Sequence, residues 1–103
     1  MNTLTKSSND IPKLIKEHIS LFDSFEYVYL FGSSLDPNMT HNDIDILTIY
    51  AKYSSKIGYD LKRISDELGK ATGLYIDLTA LSIEEEKDIH FLEKIKHHYL
   101  KLK

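Results

Sequence analysis

The feature that most constrains the fold is the segment Asp43–Tyr50, DIDILTIY, in which acidic and apolar residues alternate before a largely β-branched run. Successive side chains of a β-strand point to opposite faces of the sheet, so Asp43 and Asp45 share one face and Ile44 and Ile46 share the other. We therefore expect a strand that packs one face against a core and leaves the other at least partly open. Taken alone, an Asp-Ile-Asp segment also fits a purely structural role on a solvated face.

Two further segments have the composition of strands. EYVYLF, from Glu26 to Phe31, is aromatic and β-branched, and Gly32 ends the run. LYIDLTAL, from Leu74 to Leu81, again alternates an acidic residue with apolar ones. The tyrosines on these strands, Tyr75 among them, are expected to serve in packing.

Segments with apolar residues at helical spacing are predicted to run from Asp10 through Phe22, from Ser54 or Ser55 to near Gly69 or Gly73, and from Ser82 through Tyr99. Asp10 is a candidate N-cap for the first helix. Ser82 followed by Glu85 has the form of a capping box and is expected to open the last helix.

The order of these elements predicts an α/β fold of the α+β kind, with a small mixed β-sheet, helices packed on one face and the other face partly open. The chain has 103 residues, a length typical of one domain, and we expect residues 1–103 to form it. Residues 1–9 are predicted to be a loose N-terminal segment. This length is too short for a catalytic domain and a separate substrate domain. We therefore expect the binding surface for a large substrate to be completed by a partner.

The amino-acid composition argues against several classes of function. The net charge of −3 gives no support to nucleic-acid binding, which usually needs a basic face. The absence of cysteine excludes disulfides, thiolate zinc sites and cysteine nucleophiles. Neither a membrane-spanning apolar run nor a signal-peptide core is evident, so the expected location is the cytoplasm, with no membrane partner.

A third acidic residue has the same strand context as the first two. In the third predicted strand the alternation places Tyr75, Asp77 and Thr79 on the face opposite to Leu74, Ile76 and Leu78. If this strand lies beside Asp43–Tyr50 in register, three carboxylates converge on one patch, which is unfavourable without a cation. Magnesium prefers such oxygen ligands, and two Mg²⁺ ions can assist phosphoryl transfer. The sequence therefore predicts a metal site at Asp43, Asp45 and Asp77.

A candidate phosphate cradle precedes this set. Gly32 and Ser33 follow the first strand directly, where a glycine lets backbone amides approach an anion and a serine adds a hydroxyl donor. The combination of Gly32-Ser33, nine intervening residues, Asp43-Ile44-Asp45-Ile46 and a later Ile76-Asp77-Leu78 resembles the signature of the DNA polymerase beta nucleotidyltransferase superfamily. The small size is similar to that of its stand-alone minimal members.

The resemblance implies a polymerase-beta-type nucleotidyltransferase core that uses ATP and Mg²⁺. Gly32 and Ser33 would hold the triphosphate, Asp43 and Asp45 would ligate magnesium, and Asp77 would complete the metal site or take the acceptor proton. Some minimal members are antitoxins that transfer AMP to a tyrosine of a HEPN ribonuclease toxin. The resemblance therefore implies an enzyme with such a toxin as protein partner, and an oligomer is compatible with it.

This sequence also differs from the family pattern. Many minimal members carry an arginine shortly after the Gly-Ser pair, whereas the loop here reads SLDPNMTHN, without a cation. Two alternatives therefore stay open. The first is nucleotidyl transfer to a small molecule or RNA with a separate acceptor-binding subunit, and the second is a catalytically degenerate binding module.

Overall fold

The computed structural model describes residues 10–35, 43–96 and 98–103. Its strands are β1 (Tyr27–Phe31), β2 (Asp43–Tyr50), β3 (Tyr75–Ser82) and β4 (Tyr99–Lys101). Its helices are α1 (Asp10–Glu17), α2 (Ser55–Thr72), α3 (Ile83–Ile89) and α4 (Phe91–Lys94), with 3₁₀ turns at Ile19–Phe22 and Gly32–Leu35. The predicted loose segment, residues 1–9, lies outside the described residues.

Across these ranges the strands form one mixed sheet in the order β3-β2-β1-β4. Strand β1 is antiparallel to both of its neighbours, whereas β2 and β3 are parallel. A parallel pair needs a crossover connection, and α2 supplies it between β2 and β3. The mixed sheet with helices agrees with the predicted fold class.

One face of the sheet is closed by α1, the first 3₁₀ turn and α2. The alternate residues of the strands that point to it are buried together with apolar residues of these helices: Ile11, Ile15, Phe22, Val28, Leu30, Ile44, Ile46, Ile57, Ile64, Leu68 and Ile76. The strand alternation predicted the burial of Ile44 and Ile46, and the helical spacing predicted apolar helix faces.

Helix α2 begins and ends at residues that the sequence indicated. Ser54 precedes it in an extended conformation, and Gly73 follows it with φ +73°, donating its N–H to the carbonyl of Gly69 at 2.8 Å. This left-handed glycine is the common way to end a helix. Of the predicted boundaries, Ser54 and Gly73 are the ones that flank the helix.

The predicted last helix from Ser82 through Tyr99 is wrong beyond Ile89. The capping box at Ser82 and Glu85 opens α3 as predicted, with Glu85 N donating to Ser82 Oγ at 3.0 Å. The helix then ends because His90 adopts a left-handed conformation, φ 55°, and the short α4 follows. This break brings the Phe91 ring to 5.3 Å from the ring of Phe31, so a tertiary contact overrides the helical spacing.

Strand β4 replaces the end of that predicted helix. Lys96 has φ 54°, and the chain then pairs antiparallel with β1, so that Tyr99 lies on a strand. The Tyr99 and Tyr29 rings meet at 5.0 Å, and Leu102 N donates to Val28 O at 2.8 Å.

Helices α3 and α4 lie against the second face of the sheet, where Ile83, Phe91 and Leu92 pack on a smaller apolar cluster of Tyr29, Leu47, Ile49 and Leu81. The second face is therefore covered at the end where β2 finishes. No helix in the described part of the chain is both long and apolar enough to span a membrane.

Candidate functional site

The three predicted carboxylates lie together on the second face of the sheet, at the end where β2 begins. The parallel register makes Asp45 the Cα partner of Asp77 and Asp43 the Cα partner of Tyr75. One carboxylate oxygen from each aspartate lies within 4.8 Å of the others. Asp43 and Asp45 are half-buried and Asp77 is exposed, so this carboxylate cluster is open to solvent on one side.

Within the carboxylate cluster, the pKa of Asp45 is raised. The pKa of Asp45 is raised from 3.8 to about 6, first by burial and then by the charges of Asp43 and Asp77. A side-chain hydrogen bond with Asp77 acts in the same direction. Three like charges at this spacing repel one another, so full ionisation of the cluster is unfavourable without a cation.

Gly32 is positioned against this cluster by two separate constraints. Its φ of +81° lies in the left-handed region that favours glycine, at the start of the 3₁₀ turn Gly32–Leu35. A Cβ added at Gly32 would collide with Oδ2 of Asp45. The residue must therefore lack a side chain to allow the backbone turn and the close approach to the carboxylate.

Of the predicted phosphate cradle, the structure thus brings Gly32 to the carboxylates. The backbone of Ser33 continues the same 3₁₀ turn, but its side chain is outside what the structure describes. The phosphate contact of Ser33 therefore stays a prediction. Residues 36–42, which include most of the loop without an arginine, also lie outside the described residues.

Two aromatic residues flank the carboxylate cluster, and the sequence analysis assigned neither to the site. On β1, Phe31 is the Cα partner of Asp45 and packs against Phe91. On β3, Tyr75 points to the same face as Asp77 and is 70% exposed, so the expectation that it serves in packing is wrong. The alternation that placed Asp77 also places Tyr75 beside it, and this was the available signal.

The donor set fits a divalent cation. Carboxylate oxygens are the ligands that magnesium prefers, and oxygens bound to one octahedral ion lie about 3 to 4 Å apart. The spacing within 4.8 Å is compatible with this geometry after small side-chain rotations. A bound cation would also offset the repulsion from Asp43 and Asp77 that, after burial, raises the pKa of Asp45. Asp43, Asp45 and Asp77 would hold it, and the open side of the cluster leaves space for a phosphate group.

Comparisons with known proteins agree with this geometry. Residues 11–101 match the sequence model of the nucleotidyltransferase domain. A comparison with curated proteins finds no significant match.

Solved structures of similar fold were also found. A Sulfolobus solfataricus structure named as a nucleotidyltransferase is 22% identical, with a TM-score of 0.52 over 97% of this chain and 90% of that chain. A Shewanella oneidensis structure of a tri-AMPylated HEPN toxin in complex with MNT antitoxin is 22% identical, with a TM-score of 0.51 over 93% and 68%. A mutant MntA–HpeT toxin–antitoxin structure is 19% identical, with a TM-score of 0.55 over 95% and 73%. At these identities the likeness establishes the fold.

Proposed function

Because the chain belongs to the nucleotidyltransferase domain family, we propose that it transfers AMP from ATP to a hydroxyl group of a partner protein in a magnesium-dependent reaction. The family predicted from Gly32-Ser33 and the three aspartates is confirmed, and with it the class of enzyme. The nucleotide, the metal and the acceptor are the parts that this proposal adds.

The observation that carries the proposal is the convergence of Asp43, Asp45 and Asp77 within 4.8 Å on an open face, next to Gly32. Transfer of a nucleotidyl group requires neutralisation of charge at the α-phosphate and at the departing pyrophosphate. Asp43, Asp45 and Asp77 would hold a divalent cation, which would supply that neutralisation. The retained carboxylate set also argues against the degenerate binding module.

The chain's own residues have distinct tasks in this proposal. The turn that begins at Gly32 presents backbone amides toward the triphosphate, because no side chain intervenes between it and the carboxylates. Asp43 and Asp45 hold the metal from β2. Asp77, the exposed member on β3, completes the set or accepts the proton of the attacking hydroxyl.

The partner class rests on the fold neighbours. Two of the similar structures are toxin–antitoxin complexes, and in one of them the HEPN toxin carries AMP groups. By this analogy, the acceptor is a tyrosine of a HEPN-type ribonuclease toxin, and the chain acts as its antitoxin. The open carboxylate cluster is consistent with a large acceptor that docks from outside.

The test is transfer of label from ATP. The purified protein is incubated with Mg²⁺, the product of the neighbouring gene and any protein that co-purifies with it. ATP labelled at the α-phosphate should label the partner, whereas ATP labelled at the γ-phosphate should not. Asp43→Asn should abolish transfer, and Asp66→Asn, at an exposed position on α2 outside the carboxylate cluster, should leave it unchanged.

The outcomes separate the alternatives. Label in RNA or a small molecule, and none in protein, would support the alternative acceptor class. Suppression of a toxic partner by Asp43→Asn as effectively as by the wild type would favour the binding module. Transfer that persists without Mg²⁺ or in Asp43→Asn would contradict the proposed role of the carboxylates.

A further inference from the structure

Tyr75 differs from the other strand tyrosines. In the described part of the chain, ring or cation contacts join Tyr27 to Lys101, Tyr29 to Tyr99, and Tyr50 to Tyr53. Tyr75 has neither a ring partner nor a side-chain hydrogen bond among the described residues, and it is 70% exposed. Exposure alone does not single it out, since Tyr59 on α2 is 67% exposed and isolated exposed apolar side chains are common; the position of Tyr75 does.

Its position relates it to the carboxylate cluster. Tyr75 is the Cα partner of Asp43 and lies two residues before Asp77 on the same face. Same-face neighbours across strands have Cβ atoms about 5 Å apart, and residues two apart on one strand are about 7 Å apart. A tyrosine side chain extends over a comparable distance, so rotation of Tyr75 brings its hydroxyl to the edge of the carboxylate cluster.

The order of the strands also places Tyr75 on a particular side. Gly32 follows β1, the metal-binding pair Asp43 and Asp45 lies on β2, and Tyr75 lies on β3, the edge strand. With the triphosphate held at Gly32, the pyrophosphate departs on the β1 side. An in-line displacement then requires the attacking oxygen to enter from the side of β3, the strand that carries Tyr75.

We propose that Tyr75 is a self-adenylylation site, at which its hydroxyl accepts AMP from ATP bound to the same chain when no partner acceptor is docked. This inference rests on the proposed function and extends it to a second acceptor. The phenolic oxygen forms a bond to the α-phosphorus, and the bond between the α-phosphorus and the bridging oxygen to the β-phosphate breaks. Pyrophosphate leaves with both electrons of that bond, and the phenolic proton passes to Asp77 or to water.

The experiment uses the protein alone with Mg²⁺ and ATP labelled at the α-phosphate, followed by peptide mass spectrometry. We expect one adenylate, on Tyr75. Tyr75→Phe should lose the label and retain binding of ATP with Mg²⁺. Tyr59→Phe is the matched control, because Tyr59 is 67% exposed on α2 and should leave the label in place. Label that persists in Tyr75→Phe, or that maps to another residue, would overturn the inference.

Two further measurements test whether transfer occurs within one chain and whether Tyr75 lies near the nucleotide. Mixing active Tyr75→Phe with the inactive Asp45→Asn chain should leave the latter unlabelled, and its labelling would overturn transfer within one chain. In a footprint without turnover, α,β-methylene-ATP with Mg²⁺ should slow iodination of Tyr75 but not of Tyr59. Equal iodination of both would place Tyr75 away from the nucleotide and overturn the inference. A preparation that labels a partner but not itself refutes only self-adenylylation, whereas failure to bind ATP contradicts the proposed function as well.

Discussion

The two faces of strand β2 have opposite effects on folding, because alternate residues are apolar on one face and acidic on the other. Ile44 and Ile46 are fully buried between the sheet and the helices, where burial of each such side chain contributes about 2 kcal/mol to folding. Asp43 and Asp45 point the other way and are brought close to Asp77, which costs free energy as long as no cation is bound. The comparison shows that the apolar face holds in place an arrangement of charges that opposes folding.

The open face is itself divided along its length. At the end where β2 finishes, Leu47 and Ile49 are covered by residues of α3 and α4. At the end where β2 begins, the carboxylates remain accessible. The apolar contacts of α3 and α4 therefore extend toward the carboxylate cluster without covering it. Substitutions on each face of β2 can then be tested separately for stability and for activity.

The largest expected effect is on the open face. Asp43→Asn should lower magnesium-dependent transfer by about a thousandfold or more, since loss of a metal-binding carboxylate removes several kcal/mol of transition-state stabilisation. The free energy of unfolding without Mg²⁺ should not fall. Rates of label transfer and chemical denaturation provide the two measurements. Loss of activity through unfolding would contradict the separation of the two faces.

The next effect is on the closed face. Ile46→Ala should lower the free energy of unfolding by about 3 kcal/mol, because it removes buried methyl groups and leaves a cavity. Urea denaturation measures this loss. Ile89→Ala is the matched control, since Ile89 is 37% exposed and its truncation should cost well under 1 kcal/mol. Transfer activity per folded molecule should stay near the wild-type value in both variants.

A pair of glycines tests how tightly the turn contacts the carboxylates. Gly32 and Gly73 both have positive φ, +81° and +73°, so alanine at either position should cost about 1 kcal/mol of backbone strain. Around Gly73 the space is open, whereas a Cβ at Gly32 would collide with Asp45. Gly32→Ala should therefore also displace that carboxylate and weaken Mg²⁺ binding, measured by calorimetry. Equal Mg²⁺ affinity in the two variants would show that the contact is unimportant.

Much of this arrangement could be predicted from the sequence because alternation is a local property. The bounds of β2, the facing of Asp43, Asp45 and Asp77, and the capping box of α3 all follow from patterns a few residues long. The contact between Gly32 and Asp45 could not be predicted in this way. It depends on the antiparallel register of β1 and β2, which no pattern a few residues long determines.

The C-terminal part shows the same limit more clearly. Ile95 and Tyr99 continue a helical spacing, yet His90 and Lys96 adopt positive φ and Tyr99 joins β1. Strand pairing of β4 with β1 and ring contacts to Tyr29 and Phe31 decide this outcome. Such long-range contacts override a weak local helical preference, so β4 could be found only from the structure.

The smallest expected effect concerns the free-energy cost of ionising Asp45 in the folded protein, which depends on pH. The pKa of Asp45 is raised from 3.8 to about 6 in the folded protein, chiefly by burial and then by Asp43 and Asp77. Since the folded state binds this proton more tightly than the unfolded state, the penalty is absent below pH 3.8. It grows as the pH rises through the interval and is complete above about pH 6.

Asp45→Asn removes this penalty and should therefore raise the free energy of unfolding at pH 7 without Mg²⁺ by about 1 kcal/mol, after allowance for solvent screening. The gain should shrink toward zero near pH 4. Millimolar Mg²⁺ should stabilise the wild type more than Asp45→Asn and so reduce the difference, because the cation offsets the repulsion among the ionised carboxylates. A variant less stable than the wild type at pH 7 in EDTA would mean that the carboxylate cluster stabilises the fold, and the contrast between the two faces of β2 would fail.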